Sequence, residues 1–401
     1  MKKSLFILLL ICSITYSQDW STLSTGTSQN LQSIHFPTAS SGWAVGGSGT
    51  IIATTNSGIN WSVQNSGFSG ILNAVHFVNN SMGWAAGQTG TILFTSNGGN
   101  NWVIQPTPTT EILYGISFVN NSTGWVSGYY GTIIKTTNAG VNWFSQNSST
   151  YSYLRAIFFT DTNHGVATGY NGEIVKTTDG GNSWTEISFN ATATLYSLYF
   201  INSNYGWAGG LGSQRTTNGG SSWSLMPGGY GTLGIYFTDI NTGWEVGFNQ
   251  IYYTINSGTN WTQYNLGFGG WLYSVYFTSS STGYICGDYG TVYKTTDGGG
   301  LFTTGIKSNS GEVLSSYKLY QNYPNPFNPT SNIKYQISKS SNVKLTVYDV
   351  LGHEVTTLVN GVYTPGTYNI TFDASSYPTG IYFYKLSAGS FSESKKMLLI
   401  K

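Results

Sequence analysis

Three carboxylates are the side chains in this chain best able to support acid–base chemistry. Glycoside hydrolysis needs two carboxyls roughly 5–9.5 Å apart, and Glu111, Glu173 and Asp288 occupy turn-like segments that could share a surface. Turn counting assigns them to different structural units. A working pair is therefore not expected, and no catalytic residue is assigned. His35 and His76 hold equivalent strand positions; two imidazoles without a third ligand do not make a zinc site, so packing is their expected role. Neither a metal nor a cofactor is expected. Cys286 stands in a strand at a small-residue position with no companion histidine, which points to a buried thiol.

The elements that position these residues are repeats. Leu31, Leu72, Leu113, Leu154 and Leu195 recur every 41 residues, and Leu233 and Leu272 continue the series at slightly shorter steps. Trp61, Trp102, Trp143, Trp184, Trp223, Trp261 and Phe302 keep nearly the same period. A period near 40 signals stacked supersecondary units. In the unit from Leu113 to Trp143, apolar residues alternate with period two and β-branched residues abound, so each unit reads as four antiparallel strands. Seven such units make a seven-bladed β-propeller. Trp20 lies 11 residues before Leu31, as Trp61 does before Leu72. The segment after an export signal is therefore expected to supply the last blade's outer strand, with the stretch after Phe302 as its competitor.

Each unit also carries Thr-Thr-Asn/Asp-x-Gly-x-x-Trp, with Asn56, Asn97, Asn138, Asn218 and Asn256 against Asp179 and Asp297. An Asx oxygen that caps backbone N–H groups two residues on, with Gly supplying positive φ, would close the hairpin. The phrase resembles the Asp-box of bacterial neuraminidase-type propellers. Such sialidases grip a substrate carboxylate with three arginines, and this chain has only Arg155 and Arg215. The longer phrase Gly-Trp-Ala-x-Gly-x-x-Gly-Thr-Ile is similar to the propeller family named for a photosystem II assembly and stability factor. That resemblance implies fold, since the basic patch of the photosynthetic members would need arginines absent here.

Beyond the repeats the chain changes character. Residues 303–316 read as a Thr/Gly/Ser linker, and 317–401 as a small C-terminal β-sandwich with about seven strands. Its phrases are Tyr323-Pro324-Asn325-Pro326-Phe327-Asn328-Pro329, Asp349-Val350-Leu351-Gly352, Gly380-Ile381-Tyr382-Phe383-Tyr384-Lys385 and a Lys-Lys-Met-Leu-Leu-Ile ending at Lys401. Together they resemble the type A C-terminal sorting domain of the type IX secretion system. The resemblance implies export across an outer membrane, with the secretion machinery and a surface sortase as partners. Residues 1–17 read as a cleavable signal peptide: Lys2 and Lys3, an apolar run too short to span a bilayer, then Thr15-Tyr16-Ser17. No later stretch reaches transmembrane length.

Charged residues are only 8% of the chain, aromatics 16%, and the net charge is +1. No basic stripe could track phosphates, so no nucleic-acid partner is expected. The propeller domain, residues 18–302, is left with one notable surface. Turns between second and third strands carry Tyr129, Tyr130, Tyr170, Phe248 and Tyr289, and blade-to-blade loops carry Phe68, Tyr153, Tyr230, Phe268 and Trp271. In a four-stranded blade both loop classes emerge on one side. The expectation is a secreted or cell-surface, non-enzymatic binding protein whose aromatic face takes a glycan or protein, with Glu173 and Asp288 as hydrogen-bond partners. The alternative is a degenerate propeller glycoside hydrolase with an unrecognised carboxylate pair.

Overall fold

The structure is a computed structural model that describes residues 20–187, 193–227, 231–299, 316–339, 341–363, 366–375 and 377–400. The segment read as a signal peptide, Asp19, Tyr230, Phe302, almost all of the expected linker and Lys401 lie outside the described residues. Contacts divide the chain into two units that part between Gly299 and Gly300.

Each repeat folds as expected into a four-stranded antiparallel sheet. In the third blade these strands are Leu113–Phe118, Gly124–Gly128, Ile133–Thr136 and Phe144–Gln146, in chain order. Six blades follow this pattern. The seventh combines Leu272–Phe277, Gly283–Gly287 and Val292–Thr295 with Ser21–Leu23 as its outer strand, Thr22 opposite Tyr293. The N-terminal segment therefore closes the ring.

Aromatic stacking holds blade to blade. The second-strand Trp of one blade lies flat on the inner-strand Phe of the next: Trp43 on Phe77, Trp84 on Phe118, Trp125 on Phe159, Trp207 on Phe237 and Trp244 on Phe277, with centroids 3.5–3.7 Å apart. Tyr284 and Phe36 make the equivalent contact across the seam between the last blade and the first, at 4.0 Å. The edge of each Phe meets its own blade's closing Trp, as Phe77 meets Trp102 at 5.8 Å. Trp20 fills that slot against Phe277 at 6.0 Å.

The Asn/Asp loops work somewhat differently from the sequence expectation. Asn56 Oδ1 accepts the N–H of Asn60, four residues on rather than two, and the Thr54 hydroxyl accepts the N–H of Gly58. The same pair of bonds recurs from Thr95/Asn97 to Thr254/Asn256. Thr supplies half of the cap, which is why the phrase needs its threonine.

Two departures concentrate at the interface of the fifth and sixth blades. Thr232, not Leu233, takes the buried opening position, pairing with Gly247 as Leu31 pairs with Gly46. The second strand, Gly243–Gly247, then carries fully buried Glu245 where the other blades have Ala44, Ala85, Val126, Ala167, Ala208 and Ile285.

The tail unit forms two antiparallel sheets, three-stranded (Lys318–Leu319, Thr330–Ile337, Gly366–Asp373) and four-stranded (Glu354–Tyr363, Ser341–Tyr348, Gly380–Ala388, Phe391–Leu399). The Pro-Asn-Pro-Phe-Asn-Pro phrase ties down the last strand. Asn325 Oδ1 accepts the Leu398 N–H, Phe327 N–H donates to Leu398 O, and Ile400 N–H donates to Phe327 O. Phe327 is buried against Phe372. Gly352 adopts φ 83° in the turn capped by Asp349, and the Tyr382 hydroxyl donates to Pro378 O. Lys385, opposite Ser394, belongs to the strand pair beside that staple.

Candidate functional site

The turns between second and third strands and the blade-to-blade loops do share one end of the ring, joined by backbone bonds such as Gly131 N–H to Ser152 O and Asn249 N–H to Gly270 O. The turn tips repeat one backbone geometry, in which a left-handed residue precedes a left-handed glycine. Ser48, Thr89 and Asn171 hold the first position in three blades; Tyr130 (φ 50°) and Tyr289 (φ 58°) hold it in two others. That conformation costs a bulky residue roughly 1–2 kcal/mol, yet these two rings are 57% and 70% exposed.

Phe68 packs against the core of the first two blades, while the other described aromatic residues expected here cluster with one another. Tyr129 stacks on Tyr153 at 3.7 Å, Tyr130 meets both, and Tyr170 lies 5.0 Å from Tyr153. Separately, Phe248 packs on Trp271 at 5.2 Å, and Phe268 approaches Tyr289 at 6.4 Å. Tyr129 and Tyr170 are half-buried supports, while Tyr130, Phe248, Trp271 and Tyr289 are exposed.

The two carboxylates expected beside them differ from that reading. Asp288 is buried, accepting from the Trp271 N–H and the Tyr273 hydroxyl at 2.8 and 2.7 Å. It braces the mouth of the ring rather than facing solvent. Glu173 is half-buried, with Oε1 sequestered and unpartnered; burial and then Glu186 raise its pKa. Glu111, Glu173 and Asp288 come from different blades, and the structure does not bring them together as a set.

Sequence reasoning missed the centre of this face. Every inner strand has a register shift after its first residue, from Leu31/Ser33 to Leu272/Ser274. A bulge re-aims the extra side chain, and here the re-aimed residues are Gln32, Asn73, Tyr114, Arg155, Tyr196, Leu233 and Tyr273. They line a cavity of about 120 Å³ at the channel mouth. The Arg155 guanidinium lies 4.1 Å from the Tyr114 ring centre and 5.4 Å from that of Tyr196. The signal in the sequence was the residue after each opening leucine.

Deeper in the ring, the fifth inner-strand position forms an aromatic belt. His35 lies 4.7 Å from His76 and 4.8 Å from Tyr276, followed by Tyr236 and Tyr199. Burial lowers both imidazoles, His76 to about 4, with His76 also lowering His35. The native state keeps these rings neutral while the unfolded chain protonates them below about 6.5, so acid costs stability. Stability should fall as pH drops from about 6.5 toward 4. A His35→Gln/His76→Gln variant should lose most of that dependence in thermal melts; an unchanged pH profile would contradict it. Cys286 is buried as expected, donating to Leu31 O, with its thiol pushed up by burial. Among the described residues, no group of three His, Cys, Asp or Glu could hold a metal, and no helix is long and apolar enough to cross a membrane.

A ring of seven four-stranded blades followed by a separate all-β unit is a seven-bladed β-propeller with a C-terminal β domain. Residues 321–401 match the family model of the secretion system C-terminal sorting domain, and residues 12–107 that of the photosynthesis system II assembly factor YCF48. The tail is thus a sorting domain, which marks the chain for secretion to the cell surface. No curated protein matches by sequence. Among solved structures, YCF48 bound to a D1 peptide is similar at 20% identity, TM-score 0.60, covering 70% of this chain and 97% of that one. YCF48 from Cyanidioschyzon merolae is similar at 21% identity, TM-score 0.58, covering 69% and 98%. PorZ, a surface component of the type IX secretion system of Porphyromonas gingivalis, is similar at 13% identity with TM-score 0.55. That match covers 94% of this chain, which spans 60% of PorZ. At these identities the likeness shows the fold.

Proposed function

We infer that the chain is a non-enzymatic binding protein, secreted or held at the outer surface through type IX export, whose turn face takes a glycan or a surface protein. The observation that carries this reading is the pair Tyr130 and Tyr289, left-handed and exposed at turn tips where asparagine, as at Asn171, would be easier. A large ring kept in solvent at a conformational cost favours a stacking role. A binding role also accords with the engaged Asp288, whose two oxygens are committed to Trp271 and Tyr273 and so are poorly placed to act on a substrate.

Two experiments test it. Replacing Tyr130, Tyr170 and Tyr289 together with Ala should weaken binding at least tenfold to any ligand found by glycan or protein arrays, with the melting temperature within a few degrees of the parent. Retained binding with a collapsed fold would make these tyrosines core residues and empty the face. Removing residues 317–401 should leave the folded propeller in the periplasm, because its ring has its own closed core. A truncated protein that reached the medium at the normal level would overturn the export reading.

A further inference from the structure

Arg155 has no counter-ion among the described residues: no carboxylate lies within ion-pair distance of it, and its Nε is sequestered from solvent with no hydrogen-bond partner. A partly desolvated charge left unpaired is costly. The flanking rings of Tyr114 and Tyr196 contribute cation–π attraction, but their hydroxyls cannot neutralise the charge. A guanidinium held by neighbouring rings still presents its N–H groups in plane, the geometry that grips a carboxylate with two parallel bonds.

The surroundings show what should carry that carboxylate. Tyr114 lies 6.5 Å from Tyr129, and Tyr196 lies 6.4 Å from Tyr170. The exposed Tyr130 is therefore linked through Tyr129, Tyr153 and Tyr170 to the two rings that flank Arg155. Aromatic surface of this kind is suited to the apolar faces of sugar rings. The cavity is small, about 120 Å³, and it holds one arginine. Three acidic side chains, Glu111, Glu173 and Asp288, belong to the same end of the ring, which disfavours a polyanion or an acidic peptide.

We propose that the channel mouth is a carboxylate-binding subsite, in which Arg155 pairs with the acid group of a single uronate-type sugar in an otherwise neutral glycan while neighbouring sugars lie along the tyrosine track. This rests on the turn-face binding reading and names its ligand class. The bulge after Leu154 is the device that turns the arginine into the mouth.

The test uses the full chain and three probes in calorimetric titrations: a glucuronosyl-xylotriose, its carboxyl-reduced counterpart, and a hexapeptide with a free C-terminal carboxylate. The acidic sugar should bind at least tenfold more tightly than the reduced one, with affinity falling as salt rises. Arg155→Met should bring the acidic sugar down to the affinity of the reduced form, and Arg155→Lys, which keeps charge but loses the planar fork, should fall between. Melting temperatures of both variants verify that the fold persists. Equal affinity for the two sugars, an Arg155→Met variant that binds like the parent, no binding of either sugar, or preference for the peptide would each overturn the subsite. If Arg155→Met is silent while the triple tyrosine variant abolishes binding, the subsite fails and the face reading stands.

Discussion

Trp20→Ala is expected to destabilise the propeller by about 3–5 kcal/mol, a drop in melting temperature on the order of 10 °C for a domain of this size. The ring is 1% exposed and meets the edge of Phe277 at 87°, the arrangement by which the other closing tryptophans fix their blades. Phe277 is stacked on its face by Trp244 of the preceding blade, so the cavity left by alanine would loosen the joint between the sixth and seventh blades. Trp20 also leads into Ser21–Leu23, the strand that joins the two ends of the ring. Trp102→Ala removes the same contact from a blade whose four strands are continuous in sequence, and should cost a similar transfer term. Truncation through Leu23 should do more, exposing the edge Val292–Lys294 and broadening the unfolding transition. A truncated chain that melted at the parent temperature with the same sharpness would show that the clasp carries no stability.

That clasp could be read before any coordinates, because Trp20 keeps the spacing of Trp61 to the next leucine. The blades were equally legible: their aromatic and glycine positions recur, and recurrence reflects packing that every blade must satisfy. The binding surface is made of what does not recur. Gln32, Asn73, Tyr114, Arg155, Tyr196, Leu233 and Tyr273 do not repeat one residue type from blade to blade, so a search for repeated motifs passes over them. Only the bulge on each inner strand gives them a common direction. Leu233 was drawn to the wrong register by being a leucine; burial places Thr232 in that slot and turns Leu233 to the channel mouth. Asp288 was expected to be a hydrogen-bond partner for a ligand because its turn lies on the aromatic face, but its oxygens are taken by the Trp271 N–H and by the hydroxyl of Tyr273, 15 residues away in sequence.

Glu245→Gln should raise stability in neutral and basic solution and leave it nearly unchanged in acid. Glu245 is fully buried, and burial pushes its carboxyl up from 4.5 to about 8, with the Ser213 and Thr232 hydroxyls pulling it only partly back. An acid whose folded pKa is raised holds its proton in the native state after the unfolded chain has released it. Between pH 4.5 and about 8 the unfolded state therefore binds fewer protons, and native stability falls as pH rises through that window. The loss approaches 1.36 kcal/mol per pH unit, on the order of 3–5 kcal/mol by pH 8. Glutamine keeps the volume but cannot ionise. The difference in melting temperature between variant and parent should be near zero at pH 4.5, grow steadily, and level off above pH 8. Taking that difference at each pH cancels the opposite, acid-side contribution of His35 and His76, which both proteins share. A difference that stayed flat from pH 4.5 to 9 would mean that Glu245 is already ionised at neutral pH, with a partner inside the blade interface to hold its charge.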